Sequence, residues 1–93
     1  MRLRYTFRFQ QMGDTWLGTA VGQNAHLFNG VLQLNEVGHF IVSALAEQPE
    51  QQENELVHHL TDRLTKEYAV DESTAQSAVK QVIDYLKSEQ VLD

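Results

Sequence analysis

Cysteine is absent from this 93-residue chain. That excludes disulfides, thiolate metal ligands and a cysteine nucleophile, although an absence identifies no compartment. No apolar run approaches the about 20 residues a membrane-spanning helix needs, and no basic start, apolar stretch and small-residue cleavage site marks a signal peptide. The expected setting is therefore the cytoplasm, without membrane contact. The five glycines are scattered, so no phosphate-cradling loop exists. Proline occurs once, as Pro49, inside a polar Glu/Gln-rich stretch that reads as a linker. Basic residues are also scarce, seven against thirteen acids, for a net charge of −6. They are unevenly placed. Residues 1–46 hold Arg2, Arg4 and Arg8 against Asp14 and Glu36, giving +1, whereas residues 47–93 hold eleven acids against Arg63, Lys66, Lys80 and Lys87, giving −7. Nucleic-acid binding draws much of its free energy from neutralising phosphates, so an acidic helical half argues against it.

What is present suits one folded unit spanning 1–93. Apolar residues make up 42% and charged residues 22%, ordinary values for a domain that buries roughly 60% of its unfolded surface. Leu3, Tyr5, Phe7 and Phe9 alternate with Arg4, Thr6 and Arg8, the period of a half-buried strand. Gly13-Asp14 marks a turn, and Thr15 to Val21 reads as a second strand, antiparallel to the first, with Trp16 as its large core or rim residue. Gly22 to Asn29 is a loop or a single helical turn, ending in the turn dipeptide Asn29-Gly30. Val31 to Leu34 then forms a short third strand.

Helical spacing takes over at once. Asn35 is a suitable N-cap and Glu36 suits the positive end of the helix dipole. Val37, Phe40, Ile41, Ala44 and Leu45 form one apolar face. A second helix, about 52–67, aligns Leu56, Leu60 and Leu64, with Val57 and Tyr68 beside them. Asp71 caps a third, whose buried face is Ala75, Ala78, Val79, Val82, Ile83 and Leu86, and Val91-Leu92 makes a last apolar contact. Strands first and helices second predict an α+β fold: a three-stranded antiparallel sheet followed by a three-helix bundle.

Catalytic groups do not converge. His58-His59 with Asp62 and Arg63 gives i, i+4 pairs, but adjacent histidines point about 100° apart on a helix and do not share one metal easily. His26 and His39 stand alone, and Ser43, Ser73, Ser77 and Ser88 lack a nucleophile's context. The histidines read as solvated, and neither a catalytic residue nor a metal site nor a cofactor is expected.

The chain resembles the PqqD-like family, the small proteins related to pyrroloquinoline quinone synthesis protein D. The carriers are Phe28-Asn29-Gly30-Val31-Leu32-Gln33-Leu34-Asn35-Glu36-Val37-Gly38, then Phe40-Ile41 and Leu45, then Glu55-Leu56-Val57 with Leu60 and Leu64. Tyr68, Val70-Asp71-Glu72, Ala75, Val79, Val82-Ile83, Leu86 and Val91-Leu92 complete the match. Two positions depart from the family: Val42 stands where a tryptophan is frequent, and Gln90-Val91-Leu92 replaces a Gly-Leu-Leu-like ending.

The resemblance implies a winged-helix-like, non-catalytic recognition element for ribosomally made and modified peptides. Such a module grips the leader of a precursor peptide and presents it to a modifying enzyme, often a radical S-adenosylmethionine enzyme. The mechanism this suggests is strand addition to the third strand, an edge with unpaired N–H and C=O groups. The expected peptide-binding residues are Val31, Leu32, Gln33 and Leu34 on the strand, with Gln76, Val79, Lys80, Ile83 and Lys87 on the third helix. There Val79 and Ile83 would floor a groove, and Lys80 and Lys87 would meet leader acids. Each also has a plain reading, core for the aliphatic pair and solvated surface for the lysines. A bare edge strand can also pair with its own copy, giving a homodimer. The rival function is a winged-helix DNA-binding regulator, which requires several Arg or Lys on the last helix. Residues 71–90 offer only Lys80 and Lys87 against Asp71, Glu72, Asp84 and Glu89. A helper to an enzyme acting on something other than a peptide is a third reading.

Overall fold

Alternation over the first two strands and helical periodicity thereafter produce the expected α+β architecture in a computed structural model, which describes residues 1–28 and 30–93. Asn29, half of the Asn-Gly dipeptide, lies outside the described residues. Strands β1 (Thr6–Met12), β2 (Thr15–Val21) and β3 (Leu32–Leu34) precede helices α1 (Glu36–Glu47), α2 (Glu53–Glu67) and α3 (Glu72–Ser88), with a 3-10 turn at Ala25–Leu27. The sheet is antiparallel, in the order β1-β2-β3. Both β1 and β3 are therefore edge strands.

The first strand begins later than its alternation suggests. Leu3 forms an isolated antiparallel bridge with Leu92, the Arg4 N–H donates to the Val91 carbonyl at 2.8 Å, and the Asp93 N–H donates to that of Arg2 at 2.8 Å. Residues 2–4 thus pair with the chain's last residues, and β1 proper runs from Thr6 to Met12 against β2.

Register decides which side chains face the helices. Phe7 opposes Ala20, Phe9 opposes Gly18, and across β2 Gly18 and Trp16 oppose Leu32 and Leu34. Opposed residues share a face, so these seven positions build the sheet's inner layer. Gly18 is required there: a Cβ would stand 2.7 Å from Phe9 Cε1 and 3.3 Å from Leu32 Cβ. Against this layer pack Ile41, Leu56, Leu60, Ile83 and Leu86, all essentially inaccessible to solvent. Each such side chain contributes about 1.5–3 kcal/mol of transfer free energy, which makes this shared core the main source of stability.

Helix ends follow the local chemistry. Asn35 Oδ1 accepts the Gly38 N–H at 2.7 Å, and Asp71 Oδ1 accepts that of Thr74 at 2.8 Å; both are N-caps, as the sequence predicts. The C-terminus of α3 is a Schellman turn. The Val91 N–H reaches the Leu86 carbonyl at 3.1 Å and the Gln90 N–H that of Lys87 at 3.0 Å, with Gln90 at φ 60°. In the family the chain resembles, the Gly-Leu-Leu-like ending would set glycine at this left-handed position. A side chain there meets the following carbonyl, a strain that glycine escapes. Replacing Gln90→Gly is expected to stabilise the fold by about 0.5–1 kcal/mol, read as a higher urea midpoint; an unchanged or lower midpoint would show that the turn holds Gln90 without strain.

Candidate functional site: the free edge of β3

The third strand leads into α1 with one residue between them, and its side chains divide as alternation demands. Leu32 and Leu34 are buried under the helices and Gln33 faces solvent, as does Val31, 46% exposed, which lies just before β3 rather than within it as the sequence suggested. Along an antiparallel pair, residues alternate between those that exchange hydrogen bonds with the partner strand and those that turn N–H and C=O outward. The Gln33 N–H donates to the Tyr85 hydroxyl at 2.9 Å, so Gln33 is of the outward kind. Leu32 and Leu34 turn their backbone groups toward β2. The free edge therefore offers the backbone groups of Val31 and Gln33, one of them already engaged by a side chain of α3.

This contact orients α3. At about 100° per residue, Ala78 and Val82 lie within about 60° of Tyr85 around the helix axis, and all three are half-buried against the core. They form the rim of α3 turned toward β3. Gln76, Lys80 and Lys87 lie about 140–180° away and are exposed. Lys87 binds Glu53 of α2 at 2.5 Å, and this hydrogen-bonded carboxylate holds its pKa above the ordinary lysine value. The far rim of α3 thus faces α2. Val79 and Ile83, 0% and 1% exposed, lie between the two rims, inside the core.

The expected site residues therefore do not all come together. Val31 and Gln33 stand at the free edge, and Leu32 and Leu34 anchor it from beneath. Val79 and Ile83 support α3 from within and present no surface, because the helix turns Ala78, Val82 and Tyr85 toward β3 instead. Gln76, Lys80 and Lys87 point away from the strand. Tyr85 was the functional candidate that helical spacing alone did not single out. Its signal was a tyrosine on the border of an apolar face, seven residues after Ala78 and three after Val82, since such a ring can bury its body and still offer its hydroxyl.

The junction is held from the other side by aromatic contacts. His39 in the first turn of α1 lies flat on Trp16, centroids 3.8 Å apart at 5°, with the Phe9 ring edge-on at 4.8 Å. His39 is thus half-buried and is not the solvated residue expected; desolvation lowers its pKa. Phe28 stacks on Tyr5 at 5.7 Å and meets Phe7 edge-on at 5.8 Å. A cleft of about 560 Å³ opens between residues 2–9 and the end of α1, lined by Tyr5, Phe7, Val42 and Pro49 among others. It lies at the β1 edge, two strands from β3. Among the described residues no three His, Asp or Glu side chains gather as a metal site, and no helix is long and apolar enough to cross a membrane.

Comparison with known proteins agrees with this architecture. Residues 20–92 match the family described as coenzyme PQQ synthesis protein D (PqqD). No curated protein matches the sequence. Among solved structures, TbiB1 in complex with the TbiA(beta) leader peptide has a similar fold, with a TM-score of 0.64 at 22% identity over 100% of this chain and 95% of that one.

Acidification probes the junction. Because the His39 pKa is lowered in the folded protein, the unfolded chain binds more protons as pH falls below 6.5, the value of a free imidazole. Stability is expected to be highest above that pH and to fall between it and the lower folded pKa. This precedes the loss from Asp62 and Asp71, whose lowered pKa values delay their protonation to below 3.8. Thermal melts at about pH 7.5 and about pH 5.5 should differ in the native protein and much less in His39→Phe. Equal differences in both would remove His39 from the linkage.

Proposed function

The chain belongs to the PqqD family, and on that premise we propose that it is a non-catalytic recognition element for a ribosomally made precursor peptide. It binds the leader by strand addition to β3 and presents it to a modifying enzyme. The observation that carries this reading is the outward N–H of Gln33, on a short edge strand with no charged side chain, facing the Tyr85 rim of α3. An extended guest satisfies such groups with its own backbone, which supplies affinity at little sequence cost, while neighbouring side chains supply preference. The other edge is less inviting: β1 carries the exposed charge of Arg8, and edge charge disfavours strand pairing. The fold shared with TbiB1, whose structure holds a leader peptide, supports the same assignment.

Within this reading, Val31 and Gln33 contribute backbone bonds and exposed side chains to the guest. Leu32 and Leu34 keep the strand rigid, while Val79 and Ile83 fix the height of α3 behind it. The guest's side chains rest on Ala78, Val82 and Tyr85. Gln76, Lys80 and Lys87 serve a long leader that continues around α3, or the partner enzyme. A radical S-adenosylmethionine enzyme is the partner class most in keeping with the family, acting in the cytoplasm where the precursor is made. A homodimer, where one forms, would have to pair through the same edge and compete with the leader for it.

DNA binding has nothing in its favour here. A groove-reading helix exposes a cluster of cations, whereas α3 exposes Lys80 and a Lys87 already bound to Glu53, beside Asp84 and Glu72.

The experiment is an amide NMR titration with the synthetic leader of a short open reading frame encoded beside this chain. Shifts confined to residues 30–34 and to the Ala78–Tyr85 rim are expected. Absence of shifts at submillimolar peptide, or shifts centred on His58 and His59, would sink the reading.

A further inference from the structure

The hydroxyl of Tyr85 occupies the place a guest strand's carbonyl would take. Its oxygen accepts the Gln33 N–H at 2.9 Å, the distance of an ordinary N–H···O=C ladder bond. One N–H in this geometry serves one acceptor well, so a strand paired with the β3 edge at Gln33 excludes the tyrosine. Unpaired edge groups otherwise invite pairing with any strand, another copy of the same chain included. Natural edges are commonly guarded by charge, proline or bulges, yet Leu32-Gln33-Leu34 has none of these. The lysines of α3 do not serve either, since Lys80 and Lys87 lie on the helix's far side.

Tyr85 is suited to a removable contact. Its ring is half-buried against the core and the Gln33 end of the bond is exposed. The hydroxyl can therefore leave the strand by a side-chain rotation while the helix stays in place. Once displaced, it lies beside the guest and can donate or accept a bond there.

We propose that Tyr85 is the specificity-determining latch of the β3 edge: its hydroxyl stands in for a guest carbonyl at Gln33, closes the edge in the free protein, and is exchanged for the peptide's backbone on binding. This rests on strand addition as the mode of recognition. It goes further in naming the residue that an incoming peptide must replace and the backbone group over which the two compete. A guest that places a carbonyl opposite Gln33 gains the site, and one shifted by a residue, with its N–H there, does not. The latch thereby selects the guest's register as well as guarding the edge.

The test uses Tyr85→Phe, which keeps the ring and removes only the hydroxyl, with Tyr85→Leu as a second variant that also lacks it. Two readouts separate the latch from the functional reading. The first needs no peptide: amide hydrogen exchange of Gln33 should quicken about threefold to tenfold in both variants, in keeping with the loss of one ordinary hydrogen bond. Amides within α2 serve as the reference for an intact fold. The second is the Kd of a labelled synthetic leader from the adjacent open reading frame, which should tighten in Tyr85→Phe by about the same factor, because no internal acceptor then has to be displaced. Unchanged Gln33 exchange overturns the latch. So does an unchanged or weakened Kd, which would make Tyr85 a bystander or a standing part of the peptide surface. If neither protein binds the leader, peptide recognition by this edge fails, while Gln33 exchange still decides whether Tyr85 closes it.

Discussion

Everything in this molecule depends on joining a three-residue strand to a helix with one residue between them while burying both. Leu32 and Leu34 must lie under the helices, so β3 cannot slip by a residue without turning them to solvent. Asn35 must leave the strand and cap α1 in the same step, which its side-chain bond to the Gly38 N–H achieves. Gly38 must let the first turn of α1 settle on the strand: a Cβ there would lie 3.2 Å from Leu34 Cδ2 and 3.2 Å from Asn35 Oδ1. With that junction set, the register of β3 on β2 and the direction of α1 are both determined. Trp16, opposite Leu34 in the sheet, then meets His39 at the start of the helix.

The consequence for function is a division of labour along one short segment. Even positions of β3 hold the fold together through side chains and bind β2 through backbone. Gln33, and Val31 just before the strand, do neither with β2, and the Gln33 N–H is held by the Tyr85 hydroxyl instead. A strand used in this way needs little chemistry of its own. The helical half supplies the support, with α2 packed along one rim of α3 and β3 facing the other. The ion pair Lys87–Glu53 and the bond Tyr85–Gln33 mark these two rims at the same end of the helix.

Much of this architecture was legible in the chain. Alternation in Phe7 and Phe9, the leucine stripe of α2, and the caps Asn35 and Asp71 each act through near neighbours, and near-neighbour rules are what a sequence displays. The same reasoning misplaced elements that depend on distant partners. Leu3 continues the alternation of β1 yet pairs with Leu92, because the end of the chain returns to it. His39 carries no local sign of burial, and it is covered only because the register sets Trp16 and Phe9 beside it. On α3, the expected site joined Gln76, Val79, Lys80 and Ile83, a face at helical spacing, with Lys87. The packing centre falls across that group and leaves two of its members inside and three on the side away from β3.

The sequence by itself determined the element order, the α+β class, the two side-chain caps and the identity of the edge-forming segment, since periodicity and capping are properties of residues a few positions apart. Only the tertiary structure decided how α3 is rotated about its axis and which residue reaches the strand. That rotation is set by the fit of Ala75, Val79, Ile83 and Leu86 into a core built by every other element. A helical stripe gives the width of the buried face but not which of its borders meets the sheet. Tyr85 and Gln33, 52 positions apart, became one site through that choice alone.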